Sequence, residues 1–140
     1  MTKVVPNTQS LFVATSGNEV SLITMKLEVT QGMSLRTLVD CGASTNFLRR
    51  QSLDNKELEY IEHEIPPTRM TVRLATGASV TVMKRVVGIT YTLKGVQYDD
   101  DFIMLDLDDK FDVILGLPWL RSYKPQVSWH RRTVDMSVTY

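Results

Sequence analysis

Apolar and polar residues alternate with period two along most of the chain, and turn residues break the alternation roughly every eight to twelve positions, a pattern that predicts a small all-β domain. In "SLITMKLEV" (21–29), Ile23, Met25, Leu27 and Val29 fall on one face, "TQGM" with Gly32 supplies a turn, and "SLRTLVD" runs back as the second arm of a hairpin ending at Asp40. Residues 48–61 lose the alternation and contain helix formers, so they hold either a short helix or an irregular connection. "PPT" at 66–68 forces an extended restart. Residues 70–105 are the clearest sheet material, with hairpin turns at Thr76-Gly77 and Lys94-Gly95. "FDVILGLPWLRSY" then ends a buried strand at Gly116 and offers Pro118 to the first turn of a short helix. In "QVSWHRRTVDMSVTY", Val134, Met136 and Val138 share a face and predict a terminal strand. The first twenty residues hold one short apolar run, "LFVA", and are expected to be an N-terminal arm or frayed strand (1–20) preceding the domain proper (21–140).

Composition narrows the function classes. A chain of 140 residues fits one domain, and its 43% apolar and 23% charged residues are ordinary for a globular fold. Sixteen basic residues balance sixteen acidic ones, so there is no basic excess to support direct nucleic-acid binding or attachment to a membrane surface. The apolar runs are too short to span a bilayer, and no charged segment followed by an apolar one opens the chain, which argues against secretion through a signal peptide. The single cysteine cannot form an internal disulfide, which leaves the redox compartment open and slightly favours a reducing interior. His63 and His130 stand alone, far from metal-ligand spacing. The aspartates at 99–101, 106, 108 and 109 lack the order of a calcium loop and are expected in a solvated turn. No metal and no cofactor is expected.

One stretch resists a plain structural reading. "TLVDCGASTNF" (37–47) runs an apolar strand into Asp40, whose charge would cost several kcal/mol to bury unless shared, paired or solvated. Gly42, Ala43 and Ser44 are small enough to leave room for another chain. An alternative use of Cys41 as a thiol nucleophile would need His63 or His130 beside the turn, and nothing in the sequence places either one there.

The D-x-G-[AS]-[ST] turn after an apolar strand resembles the catalytic turn of aspartic proteases. With the Gly-tipped "VRLATGASVTV", then "FDVILGLPWL", then "PQVSWHRRTV", the pattern over about residues 20–138 resembles the retropepsin-like proteases of Ty3/gypsy-type retrotransposons. The resemblance implies the retropepsin-like acid-protease fold: a closed, barrel-like single lobe with a flap hairpin and one short helix, active as a homodimer. It implies Asp40 as the catalytic acid and base, with Cys41, Gly42, Ala43 and Ser44 supporting the catalytic loop. Thr76, Gly77 and Ala78 would form the flap tip over a bound peptide, Ile114 would line the cleft beside the catalytic turn, and Gly116 would let that strand pack against it. Asp112 reads as a strand-start or hydrogen-bonding residue, and Trp119 and Trp129 as core or interface aromatics. The expected partners are a second copy of the chain and an extended peptide or polyprotein, with the enzyme housed in a cytoplasmic virus-like particle. Cys41 departs from the pattern, since Thr or Ser is commonest there, and a thiol is the poorer hydrogen-bonding group. A dimeric scaffold that holds peptides without cutting them is the competing expectation.

Overall fold

The computed structural model describes residues 5–10, 22–29, 32–56, 58–73, 77–107 and 109–136. In chain order they form β1 (Val5–Ser10), β2 (Ile23–Glu28), β3 (Ser34–Val39), β4 (Phe47–Arg49), α1 (Arg50–Asn55), β5 (Ile61–His63), β6 (Thr68–Arg73) and β7 (Ser79–Met83), followed by β8 (Val86–Leu93), β9 (Val96–Leu105), β10 (Val113–Leu115), α2 (Leu117–Tyr123), β11 (Gln126–Ser128) and β12 (Thr133–Asp135).

Six strands close on themselves in the order β2-β3-β10-β4-β9-β8, with β8 returning to β2 at the single pair Glu28↔Thr92 and β5 added beside β8. The expected β2–β3 hairpin is present in antiparallel register from Ile23↔Val39 to Glu28↔Ser34. The β8–β9 hairpin turns on Lys94 and Gly95, both at positive φ (52° and 81°), the two-residue turn whose twist matches its strands. The all-β expectation therefore holds, and both segments considered for helix, 48–61 and the one after Gly116, carry a short one.

Period two divides the buried residues into two cores. On the central strands Val39, Leu48, Phe102, Met104, Val113 and Leu115 pack into one cluster, while Leu38, Phe47, Ile103, Leu105 and Ile114 face the other. These strands are covered on both faces, which is why their sequences read as continuous apolar runs. The first cluster fills the barrel and receives Trp119 from α2. The second lies beneath the flap, taking Met70 and Val72 from β6.

Trp119 Nε1 donates to the Tyr91 hydroxyl (2.9 Å), Tyr91 donates to Asp100 (2.6 Å), and Tyr123 donates to the same carboxylate (2.8 Å), so α2 is fixed to β8 and β9 by a polar chain as well as by packing. Asp99, Asp100 and Asp101 thus belong to β9, not to the solvated turn expected for them. Alternation explains the difference: Asp99 and Asp101 point to the exposed face while Asp100 turns toward the two tyrosines. Among the described residues no group of acidic, His or Cys side chains is arranged to hold a metal, and no helix is long and apolar enough to cross a membrane.

A second sheet, in the order β1-β6-β7, contains the flap hairpin. Its first strand is Val5–Ser10, whereas "LFVA" lies outside the described residues. At the other end β11 and β12 form a small antiparallel hairpin, with Val134 buried and Trp129 exposed at the turn, and Val138 is outside the described residues.

Candidate active site

Asp40 stands at the junction of two strands that run in parallel, β3 and β10. Its backbone N–H donates to Leu115 at the end of β10 (2.9 Å), and its carbonyl accepts from Ala43 (3.1 Å), which closes the turn. Leu117 N–H then donates back to Ala43 (2.9 Å), so the turn and the residues following β10 are stitched together from both sides.

Gly116 makes this close approach possible. A Cβ at that position would lie 2.4 Å from the Thr45 carbonyl oxygen and 2.6 Å from that of Ala43, inside any permissible contact. Its N–H donates to Asn46 Oδ1 (2.9 Å), and the Asn46 carbonyl accepts from Ile103 (2.9 Å). Asn46 is therefore the buried amide that ties the turn to β9 and to the end of β10. Sequence reasoning passed over it, because its partners lie 57 and 70 positions away and nothing local marks them.

The carboxyl group itself is unevenly served. Gly42 N–H donates to Oδ1 (2.9 Å), while Oδ2 is buried with no hydrogen-bond partner among the described residues. Burial raises the Asp40 pKa, and the Gly42 bond only partly opposes the rise. An orphaned buried acceptor costs about 1–3 kcal/mol, so this geometry favours the protonated acid or a second polar group supplied from outside the chain.

Around it, Ala43 is fully buried, and Cys41 and Ser44 are exposed. Ile114 is 2% exposed and packs in one cluster with Ala43 and the flap residues Met70 and Val72, beneath the turn. In the flap, β6 and β7 pair from Arg69↔Met83 to Arg73↔Ser79. Gly77 takes a positive φ of 91° at the exposed tip, beside exposed Ala78, and Thr76 lies outside the described residues.

Asp112, the rival carboxylate, has a different environment. Its side chain is 0% exposed and accepts from Arg36 N–H (2.8 Å), the Arg36 guanidinium (3.3 Å), Ser52 Oγ (2.6 Å) and Lys56 Nζ (3.1 Å). Burial alone would raise its pKa, but the bonds from Arg36, Ser52 and Lys56 outweigh that and hold the carboxyl well below the usual range. With its oxygens engaged by these donors the carboxyl favours its anionic form, which suits it to fastening β3, α1 and β10 and not to proton transfer. Neither histidine is joined to the turn by any hydrogen bond seen here: His63 Nε2 pairs with Asp101 (2.8 Å), and His130 is exposed. A groove of about 940 Å³ lined by Glu28, Tyr60, Ile61, Tyr91 and Asp99 takes no residue from the turn or the flap.

Residues 36–140 match the family model of the PEG10/RTL1 protease domain. No curated protein sequence matches the chain. Among solved structures, the chain is similar to the retroviral protease-like domain of Ddi1 from Leishmania major (TM-score 0.49, 13% identity, covering 78% of this chain and 81% of that one). It is also similar to Lpg0085 from Legionella pneumophila, a protein of unknown function (TM-score 0.46, 19% identity, 76% of this chain and 90% of that one).

Proposed function

Because the chain belongs to the PEG10/RTL1 protease-domain family, we propose that it is an aspartic endopeptidase, active as a homodimer in which Asp40 of each copy meets its equivalent on the two-fold axis. The observation that carries this reading is the Asp40 carboxyl, with one oxygen held by Gly42 and the other buried and without a hydrogen-bond partner among the described residues. A second Asp40 completes it.

Two carboxyls that close share one proton, since both cannot ionise together. The ionised member takes a proton from water as the water oxygen attacks the scissile carbonyl carbon, while the protonated member donates to the carbonyl oxygen. The resulting tetrahedral diol collapses as the amide nitrogen receives a proton and the C–N bond breaks, leaving one acid and one amine. An extended peptide fits between the turn and the flap, adding main-chain hydrogen bonds as a further strand. The Gly77 tip closes over it and excludes water.

The same reading places residues 21–140 as the protease unit of a Ty3/gypsy-type retrotransposon polyprotein, which it would process inside the cell within a virus-like particle. Activity is expected on the acid side of neutral. The test is cleavage of a peptide library at about pH 5 over a range of protein concentrations, with Asp40→Asn and pepstatin as controls. Cleavage that rises faster than linearly with protein and disappears in the variant supports a dimeric aspartic protease. Activity climbing steadily through pH 9 would overturn it.

Cys41 favours a second reading. It is exposed and unpaired in a disulfide, where proteases of this kind usually carry a hydroxyl that links the two catalytic loops. A chain with that link weakened would act as a dimeric scaffold that holds peptides without cutting them. Retained peptide binding with no cleavage, at concentrations where sedimentation shows a dimer, would decide for it.

A further inference from the structure

Strand β6 of the flap has both edges occupied. One pairs with β7, and the other pairs in parallel with β1 in unbroken register from Val5↔Thr68 to Ser10↔Arg73. Lys84 N–H donates to the Thr68 carbonyl (2.8 Å) on the β7 side. By strand alternation the backbone groups of Met70 and Val72 also face β7, and those of Arg69, Thr71 and Arg73 face β1. In a parallel ladder the residues that reach across lie opposite the partner's outward-facing ones. Asn7 and Gln9, opposite Met70 and Val72, therefore direct their N–H and C=O groups at β6, whereas Pro6 and Thr8 direct theirs away. The one residue of β1 without an N–H falls where none is required, which is the position a strand proline tolerates.

We propose that β1 is a built-in competitor strand: the chain's own residues 5–10 fill the flap edge onto which an extended peptide would add, and hold the site in a self-occupied state. The inference rests on the reading of this site as one that binds extended peptides. Met70 and Val72 place β6 directly over the turn, in one cluster with Ala43 and Ile114. A peptide captured by strand addition needs an unpaired edge, and this edge is spent over the whole length of β6. A tethered strand competes at an effective concentration on the order of millimolar, well above that of most free peptides.

The test compares the full chain with Asn7→Pro/Gln9→Pro, which removes two N–H donors from the ladder, and with Thr8→Pro, which removes one that points away. Amide exchange of Arg69, Thr71 and Arg73 is expected to accelerate in the double variant and to stay as it was in Thr8→Pro. Binding of pepstatin, an extended statine-containing peptide, is expected to tighten roughly tenfold in the double variant alone, with any peptide cleavage gaining through a lower KM. Unchanged exchange overturns the proposal, and so does faster exchange with unaltered pepstatin binding. Tighter pepstatin binding without cleavage in any of the three proteins leaves the competitor strand standing and removes the endopeptidase reading instead.

Discussion

Asp40 is a carboxyl whose environment disfavours its charge, and the sign of its contribution to stability follows from that. Burial sets its folded pKa above the ordinary 3.8, so its contribution is fully present below that value and is lost as pH rises through the raised one. Asp40→Asn keeps the shape and removes the charge. The variant is expected to be more stable than the parent at pH 7 by about 1 kcal/mol, or roughly 3–5 °C in Tm, with the gain shrinking toward pH 4. Equal Tm differences at both pH values would show that burial does not govern this carboxyl. The turn was legible in the sequence, because Asp-Cys-Gly-Ala-Ser after an apolar strand is a local pattern. The close packing of Gly116 on the turn was legible through the resemblance, and the carbonyls of Ala43 and Thr45, some seventy residues back along the chain, are what demand it; Asn46 was not legible.

Between elements, Asp112 does the fastening. It joins β3 through Arg36, α1 through Ser52 and Lys56, and precedes β10, while its own carbonyl accepts from Arg49 at the end of β4 (2.8 Å). Its carboxyl has a depressed pKa, the reverse of Asp40, so its contribution is present above the ordinary value and fades as pH falls below it. Asp112→Asn is expected to cost about 2–4 kcal/mol in urea unfolding at pH 7, reduced from a fully buried case because Arg36 and Lys56 both reach water. A loss under about 0.5 kcal/mol would mean the anion is incidental. Period-two alternation revealed most of the strands, but not the split of the central residues between two cores, because strands covered on both faces read as continuous apolar runs. It missed β1, which is polar and contains Pro6, since that strand is defined by backbone pairing with β6 and not by apolar side chains. It also missed β5, which begins at the last residue of the stretch 48–61 read as a short helix or an irregular connection, because Ile61, Glu62 and His63 are all exposed and carry no burial pattern.

At the scale of the whole molecule, the proposed dimer depends on how well the two turns engage. Cys41→Thr is expected to strengthen association several-fold, in line with about 0.5–1.5 kcal/mol per hydroxyl bond gained, measured by sedimentation across protein concentration. No change in the dissociation constant would place Cys41 away from the interface. The barrel has a consequence in time as well as in space. Asn46 and Gly116 are separated by 70 residues, and their bond, with the β3–β10 pairing, completes the setting of Asp40. Translation at ~5–20 residues per second puts about 4–14 s between the two. Throughout that interval the nascent chain carries Asp40 without the strand that positions it, so the carboxyl gains its setting only when most of the domain has been synthesised.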